Sequence, residues 1–454
     1  MSYKLNGKKI SMATAAFCAA VPAFSTDNQP NIIFIMTDQQ TADAMSNRGN
    51  PFVKTPAMDM LAADGVTFTN AYCSYPLSGP SRAGLFTGKM PIELGVADND
   101  DPLPAKEIPN SLGFMLSNAG YDCLYAGKWH VPTVEIPDYE FGFRKVSGMN
   151  DMKLVENIKD ELAVKREKPL FLVTSFLNPH EICEYARSQT LHYGEIEIPQ
   201  NAKLPVLPDN FNAERGLPES VMLHKQMMFR LYPTRNYTST DWRNYLYTYY
   251  RLVERVDKNL YDLITELKKN GLYDNSLIIF TSDHGDGVAA HRWNQKRALF
   301  EETIQIPLII KLPAGQKGME EGSLTNALTN IGIDIYPTLC DYAGATVPGD
   351  RHGISLKPLL QGDRTGQHEH IFIETLLDGV NIRGWCVIEG EYKYVYYRML
   401  KDKEQLFNLR SDKGEKKNLA YNPKYADVRK QMRNRMLEYA KKTNDIMLRK
   451  EMSY

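Results

Sequence analysis

A short segment near residue 80 brings together residue types that could hold an anion beside a hydroxyl group. The segment from Pro76 to Gly88 reads PLSGPSRAGLFTG. Gly79 permits a sharp turn and Pro80 suits the first position of a helix, so Ser78 is predicted at or just before a helix N-terminus. Free backbone N–H groups and the helix dipole favour an anion there, and Arg82, one turn along, can point back to the same place. Alone, the segment fits such a site and a plain serine cap with a surface arginine equally well.

Polar residues follow three predicted strands at the point where each strand ends. The strands are short apolar runs, Asn31 to Met36, Leu170 to Leu177 and Leu277 to Phe280. The residues that follow them are Thr37-Asp38-Gln39, Asn178-Pro179-His180 and Thr281-Ser282-Asp283-His284. In an open α/β sheet, ligands bind beyond the carboxyl ends of the strands. We therefore expect these three segments to deliver polar groups to one edge of a sheet.

The elements that must position these residues follow from the hydrophobic pattern. Short β-rich runs alternate with long helical patterns, which predicts an α/β fold with a large, mainly parallel sheet sandwiched by helices. In one long amphipathic helix, which Gly271 ends, the apolar residues recur at three and four positions: Leu252, Val256, Leu260, Leu263 and Leu267. After about Gly362, short alternating runs and a final helix from Tyr425 to Lys442 predict a small antiparallel-sheet subdomain.

The stretch from Glu181 to Tyr237 is rich in proline and shows no sustained periodicity. We predict that it is a long insertion over the edge of the sheet. Such an insertion could determine substrate specificity, or it could be a purely structural flap.

Composition limits the classes of function. The chain has 454 residues, of which 43% are hydrophobic and 24% charged, and its formal net charge is -1. It therefore has no general electrostatic field for nucleic acid or an anionic membrane surface, and any anion site must be local. Beyond the N-terminus, no stretch reaches the roughly 18 apolar residues that span a bilayer.

Residues 1–25 have the pattern of a secretory signal, although a disordered leader is the alternative. A basic stretch from Lys4 to Lys9 precedes an apolar run from Ile10 to Phe24. We expect a periplasmic or extracellular protein with a catalytic domain over residues 26–362 and a C-terminal subdomain over residues 363–454. If residues 1–25 are removed, five cysteines remain: Cys73, Cys123, Cys183, Cys340 and Cys386. They show no paired short spacing, which argues against a disulfide framework or a zinc site and predicts that they are buried thiols.

The segment around Ser78 resembles the signature of the type I formylglycine-dependent sulfatases of the alkaline phosphatase-like superfamily. That signature is Cys or Ser, any residue, then Pro-Ser-Arg and a later Thr-Gly, and it is matched by Ser78, Pro80, Ser81, Arg82, Thr87 and Gly88. The resemblance implies the alkaline phosphatase-like fold and oxidation of Ser78 to formylglycine (3-oxoalanine), whose hydrate supplies an oxygen nucleophile to sulfur. A Ser in this place implies a radical-type sulfatase-maturing enzyme as a partner.

The resemblance also implies a divalent metal site, with one Ca²⁺ per chain. Its ligands would be Asp38, Gln39, Asp283 and His284, together with the modified Ser78. Gln39 stands where the family has a second acidic residue, but its amide still offers the carbonyl oxygen that a hard cation requires. His284 favours softer metals than calcium.

Further matches imply the groups that act on the sulfate. Gly127-Lys128-Trp129-His130 matches a family segment in which Lys128 binds sulfate oxygens and His130 is the base that regenerates the aldehyde. If this run is extended, both side chains project to one face. His180 matches a histidine that protonates the leaving oxygen, and Lys296 matches a second lysine that binds sulfate.

This inventory suits the chemistry of a sulfate monoester. The ester is an anion that repels nucleophiles, so a catalyst needs fixed positive charge on its oxygens, here from the metal, Arg82, Lys128 and Lys296. Asp98, Asn99, His291 and Arg292 are candidates for contact with the sugar of a sulfated glycan, although each could equally belong to a solvated loop. We therefore predict a carbohydrate sulfatase. The alternatives are a phosphoester or phosphonate hydrolase of the same superfamily and a catalytically silent glycan-binding protein.

Overall fold

The computed structural model describes residues 29–131, 140–213 and 216–453. The predicted signal over residues 1–25 lies outside these ranges. The strands in chain order are β1 (Asn31–Asp38), β2 (Val66–Phe68), β3 (Ala71–Tyr72), β4 (Asp122–Gly127), β5 (Arg144–Ser147), β6 (Leu170–Pro179), β7 (Ser276–Ser282), β8 (Leu308–Lys311), β9 (Leu324–Thr325), β10 (Thr329–Asn330), β11 (His370–Leu377), β12 (Ile382–Glu389), β13 (Tyr392–Tyr397) and β14 (Glu404–Asn408).

The α-helices lie between these strands and after the last of them. They are α1 (Pro56–Ala63), α2 (Ser78–Thr87), α3 (Pro91–Leu94), α4 (Leu112–Asn118), α5 (Asp151–Ala163), α6 (Ile182–Ala186), α7 (Glu219–Met228), α8 (Ser239–Lys269), α9 (Glu301–Ile304), α10 (Ile331–Ala343), α11 (Lys357–Leu360), α12 (Ala426–Lys442) and α13 (Ile446–Met452). None of the described helices is long and apolar enough to cross a membrane.

An eight-stranded sheet with the strand order β5-β4-β6-β1-β7-β8-β2-β9 forms the centre of the molecule. The neighbours of β1 on both sides, β6 and β7, run parallel to it, whereas β8 is antiparallel to both β7 and β2. The predicted α/β class and the three predicted strands β1, β6 and β7 are therefore confirmed. A separate pair, β3 and β10, is parallel.

Strand β1 shows why the sheet has a hydrophobic layer on each face. Its residues Ile32, Phe34 and Met36 pack into one core cluster, and the alternate residues Ile33 and Ile35 pack into another. Because successive side chains of a strand point to opposite faces, a strand covered on both sides must be apolar throughout. Helix α2 lies in the first layer and α8 in the second.

The long predicted helix is present and extends beyond its apolar repeat. Helix α8 has 31 residues, and its start is capped by Thr238, whose hydroxyl accepts a hydrogen bond from the backbone N–H of Asp241. Gly271 adopts a left-handed φ of 67° just after the helix, as the stop signal predicted.

The insertion from Glu181 to Tyr237 contains two helices that periodicity did not reveal. Helix α6 has only five residues, which is too short to show a period. Helix α7 buries His224 and Lys225 beside Val221, so polar residues occupy positions where a pattern search expects apolar ones.

The C-terminal part forms the predicted small antiparallel sheet, with the order β11-β12-β13-β14. Helix α12 packs on one face of it, through Met432 and Met436. Ile371 and Ile388, on the other face, join the same core cluster as the main sheet. Because the two parts share a core, the predicted boundary between residues 362 and 363 stays a prediction.

Candidate active site

Ser78 lies at the first residue of α2, in the place that the sequence predicted. Leu77 is the residue before the helix, so Pro80 occupies the third helical position and not the first. The hydroxyl oxygen of Ser78 lies 3.0 Å from Nε2 of His284 and 3.2 Å from Oδ2 of Asp38, and the side chain is fully buried. The hydroxyl therefore faces two predicted metal ligands.

The sheet register explains why residues from distant segments meet at Ser78. Asp38 at the end of β1 is paired with Pro179 of β6, and Thr37 is paired with Ser282 of β7. His180 follows the first of these partners directly and Asp283 follows the second. The three predicted strand ends therefore lie side by side, as expected.

Arg82 ties this edge of the sheet together. Its Nε donates to Oδ2 of Asp283 at 2.8 Å, and one terminal nitrogen donates to Oδ2 of Asp38 at 3.1 Å. The other terminal nitrogen donates to the carbonyls of Lys128 and Trp129 and to the hydroxyl of Ser175. Burial opposes this charge, but Asp283 and Asp38 outweigh it and raise the pKa of Arg82. The guanidinium is thus permanently charged and holds both carboxylates in place.

Two ammonium groups reach the same cluster from different parts of the chain. Nζ of Lys128 lies 2.6 Å from Oδ2 of Asp38. Nζ of Lys296 donates to the amide oxygen of Gln39 at 2.9 Å. Burial lowers the pKa of Lys128, an effect that Asp38 partly offsets. Burial alone would raise the pKa of Asp38, yet Lys128 and Arg82 help to hold it well below its usual range.

His130 and His180 line a cavity of about 320 Å³ together with Lys296. The run from Lys128 is not extended at His130, which has a left-handed φ of 50°, so the condition under which both side chains would project to one face is not met. The two residues nevertheless interact: burial and the charge of Lys128 lower the pKa of His130 to about 3. Burial, Lys128 and Lys296 also hold the pKa of His180 well below its usual value. Both rings are therefore neutral at pH 7 in this state.

The donor atoms at the cluster fit a divalent cation. Ligand atoms of Asp38, Asp283 and His284 lie within 4.8 Å of one another, and all three residues are buried. Nδ1 of His284 donates to the carbonyl of Gly285 at 2.9 Å, which leaves Nε2 as the lone-pair nitrogen of a neutral ring. Burial keeps the ring neutral by lowering its pKa to about 4. Two carboxylates and one imidazole lone pair thus converge on a single point.

Gln39 lies in this cluster, but its side chain is engaged by protein groups. Its amide oxygen accepts from Lys296, and its amide nitrogen donates to Oδ2 of Asp286 at 2.7 Å. The backbone N–H of Gln39 donates to Oδ1 of Asp283 at 3.1 Å. Its role as a metal ligand stays a prediction.

Two supporting residues were missed by the sequence analysis. Asp286 is fully buried and accepts from Gln39, from the hydroxyl of Tyr245 and from the backbone N–H of Gln295. Cys183 lies 3.4 Å from the amide oxygen of Gln39 and 3.8 Å from Nε2 of His180. A signal existed for each, because Asp286 comes three residues after Asp283 and Cys183 comes three residues after His180.

Two of the four candidate substrate residues line the cavity, and two do not. Asn99 and Arg292 line the cavity, and Asn99 also accepts from the backbone N–H of Gly79, next to Ser78. Asp98 forms an ion pair with Arg297, with an oxygen 2.9 Å from the guanidinium. Its carboxylate is thus engaged by a protein cation.

His291 was also a candidate for contact with the sugar. The structure does not support this expectation, because His291 does not line the cavity. Its side chain is fully buried and stacks on Phe300 with ring centroids 4.4 Å apart. Nδ1 donates to the carbonyl of Ala213 at 3.0 Å. His291 has a left-handed φ of 52°, and the chain turns here. Arg292 therefore lines the cavity, whereas His291 does not.

Comparison with known proteins agrees with this geometry. The Sulfatase family profile matches residues 30–345, and the profile of the N-sulphoglucosamine sulphohydrolase C-terminal region matches residues 289–442. A delta 4,5-hexuronate-2-O-sulfatase of Bacteroides thetaiotaomicron is 29% identical over 452 residues, which cover 95% of this chain and 92% of that protein. An N-acetylglucosamine-6-O-sulfatase of the same organism is 26% identical, with 95% and 89% covered.

Solved structures give the same result for the fold. The structure of a 2-O glycosaminoglycan sulfatase superposes with a TM-score of 0.81 at 27% identity, covering 92% of this chain and 93% of that one. A putative sulfatase from Bacteroides thetaiotaomicron also gives a TM-score of 0.81, at 28% identity, with the same shares covered. With the family profile matching well over half of the chain, and with the predicted fold present, this chain belongs to the sulfatase family of the alkaline phosphatase-like superfamily and is a sulfuric ester hydrolase.

Proposed function

We propose that this enzyme removes sulfate from a sulfated carbohydrate, with residue 78 as formylglycine and one bound Ca²⁺. The observation that carries the proposal is the position of the Ser78 hydroxyl, between Asp38 and His284 and at the end of a helix. When present, formylglycine supplies a hydrated aldehyde whose oxygen is the nucleophile. Relatives named for hexuronate and N-acetylglucosamine sulfates support the carbohydrate class.

The positive charges around Ser78 suit the binding of a sulfate group. Lys128 and Lys296 come from separate parts of the chain, and each is already within hydrogen-bond distance of a residue of the cluster. Arg82 forms ion pairs with Asp38 and Asp283 and adds a full positive charge to the cluster. Preorganised charges of this kind stabilise the charge that develops on the sulfate oxygens without having to move during the reaction.

The two histidines of the cavity suit the two proton transfers. A neutral His130 can accept a proton when the product sulfate leaves. His180 is neutral because burial, Lys128 and Lys296 disfavour its charged form. An anionic sulfate held by those two ammonium groups would oppose this effect and raise the pKa of His180. His180 could then carry a proton to the leaving oxygen.

The metal would be held by Asp38, Asp283 and His284, with Gln39 nearby. When bound, it would draw electron density from an oxygen of residue 78 and of the substrate sulfate. Mostly oxygen donors with two carboxylates favour a hard cation, which is why we propose calcium. We also propose that the chain is exported and that a radical-type maturing enzyme oxidises Ser78.

The test combines mass spectrometry with turnover. The protein is co-expressed with a radical-type maturase, and the peptide that contains Ser78 is weighed. We expect the loss of one H₂ equivalent, and sulfate release from at least one member of a panel of sulfated monosaccharides and disaccharides. An unmodified Ser78 combined with turnover of phosphodiesters would instead favour the phosphoester hydrolase.

A further inference from the structure

The cavity above the catalytic residues carries an excess of positive charge. Among the described residues that line it, Asp378 is the one carboxylate, whereas the cations are Arg187, Lys225, Arg292, Lys296 and Arg297. The chain as a whole has a formal net charge of -1. A concave site lined by charges of one sign focuses the electrostatic potential and attracts ligands of the opposite sign. Under the proposed function Lys296 binds the scissile sulfate, which leaves the other cations of this lining for the rest of the substrate.

The charge of Arg187 is less well neutralised by a nearby carboxylate than the charge of Arg297. Arg297 is 2.9 Å from a carboxylate oxygen of Asp98, whereas Arg187 and Glu184 are 4.0 Å apart, at the outer limit of an ion pair. A terminal nitrogen of Arg187 donates to the hydroxyl of Tyr232 at 2.7 Å, and the guanidinium carbon lies 4.8 Å from the centre of that ring. Tyr232 therefore orients the guanidinium without neutralising it. Nε of Arg187 has no hydrogen-bond partner in the described part of the chain.

Arg187 is also connected to the catalytic groups through a single helical turn. Its backbone N–H donates to the carbonyl of Cys183 at 3.1 Å, at the end of α6. The sulfur of Cys183 lies 3.8 Å from Nε2 of His180. Positions one helical turn apart are about 5–6 Å from each other. Arg187 and His180 also line the same cavity of about 320 Å³, so an anion bound by Arg187 and an ester oxygen at His180 can belong to one sugar ring.

We propose that Arg187, oriented by Tyr232, binds a second anionic group on the sugar that carries the scissile sulfate. A planar guanidinium matches the oxygens of a carboxylate or of a second sulfate, and it can bind either through two parallel hydrogen bonds. The inference rests on the proposed carbohydrate sulfatase function and deepens it: the preferred substrate is an acidic sugar sulfate, and a neutral one is poor. Arg187 is a specificity residue and takes no part in bond breaking.

The experiment uses the matured full-length enzyme with matched substrates. The first is a panel of disaccharides in which the uronate itself carries the sulfate. The second is the same panel after carbodiimide activation and borohydride reduction, which turns each carboxylate into a hydroxymethyl group and leaves the sulfate in place. The third carries an additional sulfate on the reduced sugar. Together these arms separate a carboxylate from a second sulfate as the anion that is recognised.

We expect Arg187→Gln to lower kcat/KM by about 10- to 100-fold for the substrate with the preferred second anion, as befits the loss of a charged hydrogen bond. The loss should appear mainly in KM, because this contact is the same in the ground state and the transition state. The reduced, singly sulfated substrate should change by less than about 3-fold. Arg187→Lys should restore part of the difference, and Tyr232→Phe should weaken it slightly.

The matched control is Arg230→Gln, since Arg230 belongs to the same insertion, is exposed and does not line this cavity. It removes the same charge and should leave the preference intact. If the wild-type enzyme treats charged and reduced sugars alike, or if Arg187→Gln slows both equally, the inference is wrong while the sulfatase function stands. If no sulfated sugar is turned over by the matured wild-type enzyme, the proposed function itself fails.

Discussion

Two clusters of buried charge both take residues from the segment between Asp283 and Glu302, and both combine basic with acidic side chains. In the catalytic cluster, Arg82 contacts Asp38 and Asp283, and Lys128 contacts Asp38. The second, here the Lys393 cluster, consists of Lys393, Glu301, Glu302, Glu415 and His291. Its ammonium group lies 2.9 Å from Glu301 and 2.8 Å from Glu415. Ligand atoms of His291, Glu302 and Glu415 lie within 4.8 Å of one another, as in the catalytic cluster.

The clusters differ in what they face. His130, His180 and Lys296 open the catalytic cluster to the cavity, whereas no member of the Lys393 cluster lines that cavity. Burial opposes the charge of Lys393, but Glu301 and Glu415 outweigh it and raise its pKa. In the catalytic cluster, Nδ1 of His130 is buried and has no hydrogen-bond partner in the described residues. Buried charge and metal-like spacing therefore do not by themselves mark a reactive site; of these two clusters, the catalytic one reaches this cavity, through His130, His180 and Lys296.

Replacing the proposed nucleophile gives the largest expected effect. Ser78→Ala should lower sulfate release by at least about 10⁴-fold, as loss of a nucleophile does in other hydrolases. The midpoint of thermal unfolding should change by only a few degrees, because the helix and its buried apolar contacts remain. Sulfate release and circular dichroism measure the two effects. Substantial turnover by the purified variant would remove Ser78 from the mechanism.

Asp283→Asn should affect the metal and the stability together. The carboxylate is a candidate ligand and also accepts from Nε of Arg82, so its loss leaves a buried guanidinium undercompensated. We expect a loss of about 3–5 kcal/mol in the free energy of unfolding. Metal content by plasma mass spectrometry should fall below one ion per chain. Asp274→Asn, an exposed residue just before β7, is the matched control; full metal content in Asp283→Asn would contradict the assignment.

Lys393→Met tests the Lys393 cluster, where we expect a change in stability but not in turnover. It leaves Glu301 and Glu415 without their buried ammonium group, so the free energy of unfolding should fall by about 3–5 kcal/mol. Turnover per folded molecule should stay within about 3-fold, because no member contacts the cavity. Lys424→Met, at an exposed position, should change neither quantity. A folded Lys393→Met protein without activity would erase the distinction between the two clusters.

The Lys393 cluster should also make stability depend on pH. Burial raises the pKa of Glu302 to about 7, from an ordinary value near 4.5. The folded state then binds a proton that the unfolded state has released, so this stabilisation is complete below about pH 4.5 and is lost as the pH rises through about 7. Glu302→Gln keeps the oxygen that accepts from Asn210 and removes the titration. Between pH 4.5 and 8, the free energy of unfolding measured with denaturant should decline in the wild type, and this decline should be smaller in the variant by about 2–3 kcal/mol. An equal decline in both proteins would show that Glu302 is not the group that titrates.

The smallest effect is expected from Tyr245→Phe. This change removes one donor to Asp286, which retains those from Gln39, Val288 and Gln295. We expect a loss of about 1 kcal/mol in stability. Turnover should fall only a few-fold, because Asp286 acts through Gln39. A loss as large as that of Asp283→Asn would mean that α8 belongs to the catalytic cluster itself.

Regular elements explain which parts of the site could be predicted. Asp38 ends a parallel strand, and His180 and Asp283 each follow one, so the strand rule predicts that these three lie at one edge of the sheet. Ser78 was predicted at the start of a helix, and its place beside the other three came from the family resemblance. His291 could not be placed, because the loop has left-handed φ values at Val288, Ala289, His291, Arg292, Gln295 and Arg297, and side-chain direction there follows no period. Arg187 was missed because α6, which it directly follows, is too short to be recognised, and Tyr232 was missed because it lies in an irregular segment after α7.

The complete burial of residue 78 bears on when the protein can be activated. Its side chain has no exposed surface, and Asp38, His284 and Arg82 around it are equally enclosed. Another macromolecule could reach the β-carbon of this serine only while the polypeptide is still open. If oxidation is carried out by a separate enzyme, we expect it to come before the central sheet closes, and a chain that has folded unmodified would have to open again before it could be oxidised.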